Sequence, residues 1–209
     1  MSDGAGGGPV PLLGDYRSRS DAGYLSALGG CVLRAAGVVP KGLLVYFPST
    51  AVMQACLQNW GMQTASTTAG GRGAGGRGTG GRGRGGGASS AGGGASSAGS
   101  ITQQLQAIKS VFIEPMRSTA DEFDEVLGKY KSSAAAGRGA ILFGVLRGRA
   151  SEGLNFSHDH ARCVIMIGIA YPPIYDIKVQ SKLNRPLGRE WYTGQAFKAA
   201  NQGAFMNFV

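Results

Sequence analysis

An α/β fold with a parallel sheet covered by helices on both faces is predicted by three features of this 209-residue chain. Its strand-like runs, Leu43–Phe47, Val111–Ile113, Ala140–Leu146 and Cys163–Ile167, are apolar throughout and do not alternate, the form of strands buried on both faces. Segments of helical periodicity separate those runs, the pattern of βαβ units. The polar residues collect just after the runs, where ligand-binding loops of parallel sheets lie.

Residues 1–21 are rich in glycine, serine and proline and read as a disordered leader. Tyr24, Leu25, Leu28, Val32 and Leu33 then recur at helical spacing, and the helix should stop before Val39-Pro40, because proline drives its predecessor out of the helical region. Lys41-Gly42 is a turn into the first strand. Pro48 closes that strand, and Ser49 or Thr50 can cap a helix with Val52, Cys56 and Trp60 on one face.

The block Ala69–Ser100 holds 16 glycines in 32 positions and repeats Gly-Gly-Arg-Gly from Gly70, Gly75 and Gly80. Such a block buries too little apolar surface to offset its chain entropy, so it is expected to be a low-complexity insertion. It divides a single domain into residues 22–68 and 101–209. A helix from Ile101 to about Lys109 leads to the second strand, closed by Glu114-Pro115. Asp121–Lys131 should be helical with Phe123, Val126, Leu127 and Tyr130 on one side, and Gly137-Arg138-Gly139 turns into the third strand. After the fourth strand, helices are expected near Ile177–Leu183 and Glu190–Asn201, with Trp191 and Tyr192 read as core in preference to stacking on a base.

The formal charge is +9, and four of the cations (Arg72, Arg77, Arg82, Arg84) lie in the glycine block. A surplus of this size favours polyanions, nucleic acid above all. No apolar run reaches the length needed to cross a bilayer and no secretory pattern opens the chain, so a soluble, intracellular protein without a membrane partner is expected. Cys31, Cys56 and Cys163 are widely spaced in apolar stretches and are expected as buried reduced thiols. His158-Asp159-His160 lacks a further ligand at usable spacing, so no metal site is expected.

The loops singled out are Pro48–Thr50, Arg147–Phe156 and Ala170–Asp176. The second, Arg147-Gly148-Arg149-Ala150-Ser151-Glu152-Gly153-Leu154-Asn155-Phe156, places arginines, a serine and glycines past a buried strand. Glycine lets backbone approach a ligand, and arginine and serine suit phosphate oxygens. Residue chemistry alone leaves both a phosphate-contacting loop and a solvated turn open.

The same loop resembles motif V of superfamily two helicases of the xeroderma pigmentosum group D type, Arg-Gly-Lys-x-Ser-Glu-Gly-x-Asp-Phe. Val39–Ser49 followed by Trp60 resembles motif IV, and Gly188–Tyr192 with Gln195–Gln202 resembles the approach to motif VI. Val111–Pro115 and Tyr171-Pro172-Pro173 also fit, and together the segments are most similar to the Fanconi anaemia group J and telomere-elongation-regulator branch. The resemblance implies the second RecA-like domain of an ATP-driven, five-prime to three-prime DNA helicase acting in repair, replication or telomere maintenance in the nucleus. It implies that Glu152, Gly153, Asn155 and Gln202 face a nucleotide cleft, and that Ser49, Arg147, Arg149 and Ser151 lie near nucleic acid, single-stranded or at a junction.

Several features depart from that pattern. Asn155 stands where the family has aspartate, and Gly203-Ala204-Phe205 follows Gln202 where the family continues with arginines that stabilise phosphoryl charge. The 209 residues hold no Gly-Lys-Thr loop, DEAH box or four-cysteine cluster. ATP and magnesium are therefore expected only with a separate first RecA-like domain, the family's iron–sulfur cluster is not encoded here, and the isolated chain is expected to be a truncated, inactive lobe. The runner-up is a non-enzymatic nucleic-acid-binding protein whose glycine–arginine block forms a basic arm, RNA included among its partners.

Overall fold

The computed structural model describes residues 18–62, 99–116, 118–151, 156 and 158–205. In chain order they form α1 (Ala22–Val38), β1 (Gly42–Phe47), α2 (Thr50–Asn59), α3 (Ile101–Ile108), β2 (Ser110–Ile113), α4 (Ala120–Ala135), β3 (Ala140–Val145), β4 (Cys163–Met166), α5 (Ile177–Leu183) and α6 (Gly188–Phe205). The four strands are parallel in the order β2-β3-β1-β4, with Leu44 opposite Leu142 on one side and Val164 on the other. This is the α/β, RecA-like arrangement with helices on both faces.

Period two splits β1 between two cores. Leu43, Val45 and Phe47 face α1, α2 and α3, where the rings of Phe47, Trp60 and Phe143 meet at centroid distances of 5.9 to 6.2 Å. Leu44 and Tyr46 face α4, whose Phe123, Leu127, Tyr130 and Ala134 supply the i, i+4, i+7, i+11 stripe. Tyr130 meets Phe156 edge-on at 5.8 Å and donates its hydroxyl hydrogen to the His160 carbonyl. Each such large side chain contributes about 1.5–3 kcal/mol on burial.

The helix starts follow local chemistry. Asp21 caps α1, Ser49 caps α2, and Ser100 and Thr119 form capping boxes with Gln103 and Glu122. Ser100, the last residue of the glycine-rich block, thus begins α3. The Trp60 carbonyl at the end of α2 accepts from both the Thr102 amide (3.0 Å) and the Thr102 hydroxyl (2.9 Å). The chain therefore leaves α2 and returns to α3 at one hydrogen-bonded point. Most of the block lies outside the described residues.

Four expectations need revision. The buried face of α2 is wider than the expected Val52–Cys56–Trp60 row, which joins the core together with Met53 and Leu57; Val52 is half-buried, and Trp60 packs from the helix cap, its indole N–H donating to the Leu25 carbonyl at 2.8 Å. β4 is an edge strand, so its apolar run is only half covered and Met166 is exposed. Only Cys56 of the three free thiols is fully buried. Trp191 and Tyr192 are half-buried, because the inward face of α6 is made of Ala196, Ala199, Ala200 and Gly203. A β-carbon on Gly203 would stand 2.9 Å from Leu146 Cδ2, so small residues there let α6 approach the end of β3.

Candidate nucleic-acid interface

The carboxyl ends of β1, β2 and β3 lie side by side and open onto one cavity of about 540 Å³. Thr50 and Met53 of α2 form one wall, Glu114, Met116 and Ser118 another, and Arg147, Gly148 and Arg149 the rim. Ser49, predicted beside nucleic acid, uses its oxygen to accept from the Val52 amide at 3.4 Å, which holds the first turn of α2 next to Thr50.

The loop after β3 is a tight, cross-linked turn. Leu146 N–H donates to the Phe47 carbonyl at 2.8 Å, and Gly148 N–H returns to the Val145 carbonyl at 2.9 Å. This turn puts Arg147 at φ 67°, a left-handed conformation that a β-carbon disfavours by roughly 1–2 kcal/mol. Ser151 is buried, and its hydroxyl lies 3.1 Å from both the Val145 and Gly148 carbonyls. That predicted backbone-contacting serine therefore braces the loop from inside.

A further anchor is Glu114, which sequence reading treated only as the end of a strand. Its carboxylate is buried and accepts from the Val145 amide (2.9 Å) through Oε2 and from the Ala150 amide (3.2 Å) through Oε1. Its own N–H donates to the Phe143 carbonyl at 2.8 Å. A β-carbon on Gly148 would fall 2.8 Å from Glu114 Oε1, so glycine is required where the loop crosses the carboxylate. A charged residue at the carboxyl end of an apolar strand was the available signal.

Arg147 and Arg149 are both exposed and tethered in different directions. Arg147 donates to the Gln195 carbonyl of α6 at 2.9 Å. Arg149 donates to the Thr119 carbonyl at 2.9 Å and lies 5.9 Å from the centre of the Phe123 ring. A guanidinium carries five N–H donors, so one tether orients it and leaves donors for phosphate oxygens. The Glu114 carboxylate below accepts from two amides, and the rim presents the cations.

Glu152, Gly153 and Asn155, expected at a nucleotide cleft, lie outside the described residues. Gln202 is exposed on the last turns of α6. His158-Asp159-His160 lies toward the opposite, amino end of the sheet. Asp159 pairs there with Arg162 at 2.7 Å and Lys41 at 3.8 Å, and the Arg162 hydrogen bond holds its carboxyl below the usual range. Among the described residues no group of three or more His, Cys, Asp or Glu side chains is placed to hold a metal ion.

A parallel α/β sheet with helices on both faces and a braced loop at the ends of its inner strands is the arrangement of a RecA-like lobe. The Helicase C-terminal domain family matches residues 95–204, just over half of the chain, and the chain belongs to that family. It is similar to the regulator of telomere elongation helicase 1 homolog of Drosophila willistoni, with 29% identity over 95% of this chain and 17% of that protein. The homolog from Drosophila melanogaster is 28% identical over 95% of this chain and 18% of its own length. The chain thus spans less than a fifth of these relatives.

Proposed function

We propose that this chain is the second motor lobe of an ATP-dependent DNA helicase, and that it carries a single strand across the carboxyl ends of β1, β2 and β3. The observation that supports this best is the convergence of the Ser49-capped helix, the Glu114 anchor and the Arg147–Arg149 rim on one cavity. Cations held on a rigid rim suit a regularly spaced phosphate backbone, which supplies affinity and register without reading sequence. The names of the relatives, regulator of telomere elongation helicase homologs, support a place in telomere maintenance, and with it the nucleus.

ATP bound between this lobe and a first RecA-like lobe would supply the closure that moves one strand-holding surface relative to the other. From this chain, Gln202 is the described residue whose exposure suits that cleft. These 209 residues contain no Gly-Lys-Thr loop and no DEAH box, so the polypeptide alone neither hydrolyses ATP nor unwinds DNA.

Two measurements test the reading. Fluorescence anisotropy with single-stranded DNA should give a salt-dependent affinity, and the double variant R147A/R149A should lower the log–log salt slope by about 1.4, roughly 0.7 per lost phosphate contact. An unchanged slope would contradict the groove. Phosphate release with single-stranded DNA present should stay at background, and turnover that survives repurification would contradict inactivity of the isolated lobe.

A further inference from the structure

A second, smaller recess lies beside the main cavity, between the β4–α5 loop and the start of α6. Its volume is about 260 Å³, and its walls are Pro172, Pro173 and Trp191, with Arg147, Lys178 and Lys182 around them. The walls are fixed. Tyr192 donates its hydroxyl hydrogen to the Pro172 carbonyl at 2.9 Å, and its ring stacks on Tyr171 at 5.3 Å and 29°. Asp176 accepts from the Lys178 and Val179 amides at 2.7 and 3.3 Å through one oxygen, so the acid at the recess caps α5, and two lysines stand against its single carboxylate. Lys182 holds its ammonium 4.8 Å from the centre of the Trp191 ring, so cation and aromatic surface are presented together.

We propose that this recess takes one unpaired base of the strand that crosses the main cavity, stacked against Trp191 and the two prolines, with Lys178 and Lys182 on the flanking phosphates. Arg147 lines both cavities and gives the strand a continuous path from one to the other. The volume is below that of a usual small-molecule site, about 300–1,000 Å³, and suits a single heterocycle. An apolar, proline-and-indole wall accepts any base through its π-face, so the site adds affinity for single strands without sequence preference. This inference rests on the nucleic-acid reading above.

The test compares oligothymidylate with an abasic oligomer of the same phosphate count, titrated into the full chain. The chain has two tryptophans, and Trp60 is 1% exposed, so quenching of tryptophan emission by added strand reports Trp191. Oligothymidylate should quench and bind at least about 5-fold more tightly than the abasic oligomer, and Trp191→Ala should remove that advantage while leaving abasic affinity unchanged. A base-dependent advantage that survives in Trp191→Ala, or binding without any quench in the unaltered chain, would overturn the recess and leave the main groove standing. Failure of both oligomers to bind would overturn the nucleic-acid reading and the recess with it. Should Trp191→Ala not fold, the quench in the unaltered chain decides: present with bases and absent without them, or the proposal falls.

Discussion

Glu114 ties two chain segments to one carboxylate, and each of its oxygens meets a different amide. Glu114→Gln keeps the shape and replaces one acceptor with an NH₂ donor, which must then face a backbone N–H. The cost of an unsatisfied buried group is about 1–3 kcal/mol. We expect a lower denaturation midpoint and faster amide exchange at Val145 or Ala150; an unchanged midpoint with unchanged exchange would remove Glu114 as the anchor. Burial also raises the Cys56 thiol from 9.0 to about 12. With the folded value above the unfolded one, this contribution is complete below about pH 9 and is lost as pH rises toward 12. The buried Lys109 amine, which donates to the Lys41 carbonyl, is shifted downward by desolvation and works in the opposite sense. Comparing the unaltered chain with Cys56→Ala isolates the thiol: stability should fall less steeply from pH 8.5 to about 10.5 in the variant, as measured by urea midpoints.

Among the elements, the hydrogen-bonded meeting of α2 and α3 at Trp60 and Thr102 makes the connection between them thermodynamically cheap to shorten. Loop closure depends only weakly on length, so deleting residues 69–100 and restoring a Ser-capped entry to α3 should shift the melting temperature by no more than a few degrees. Binding to single-stranded DNA should change little as well, whereas a basic arm acting alone would lose most of it. The same scale explains what could be read from sequence. β1 and β3 are inner strands, and their unbroken apolar runs identified them; β4 carries an equally apolar run at an edge, where burial depends on neighbours that local sequence does not encode. The α6 boundary was underestimated at both ends because its packing face is alanine and glycine, which carry almost no hydrophobic period. The motif-bearing loops were legible as polar segments after apolar strands. That Ser151 turns inward is a local matter of its bonds to the Val145 and Gly148 carbonyls, whereas the hold of Glu114 on the Val145 and Ala150 amides follows from contacts 31 and 36 residues apart in the chain.

At the scale of the whole molecule, two cores sandwich one parallel sheet, and the three loops at its carboxyl edge form a surface that no single segment contains. The two cavities on that surface share Arg147, which gives the proposed strand one continuous path across the lobe. The most direct test is residue-resolved chemical-shift mapping of the full chain titrated with single-stranded DNA. Perturbation should concentrate at Ser49, Thr50, Glu114 and Arg147–Ser151 and continue to Lys178, Lys182 and Trp191. Shifts confined to residues 69–100, with the sheet's carboxyl edge silent, would contradict it.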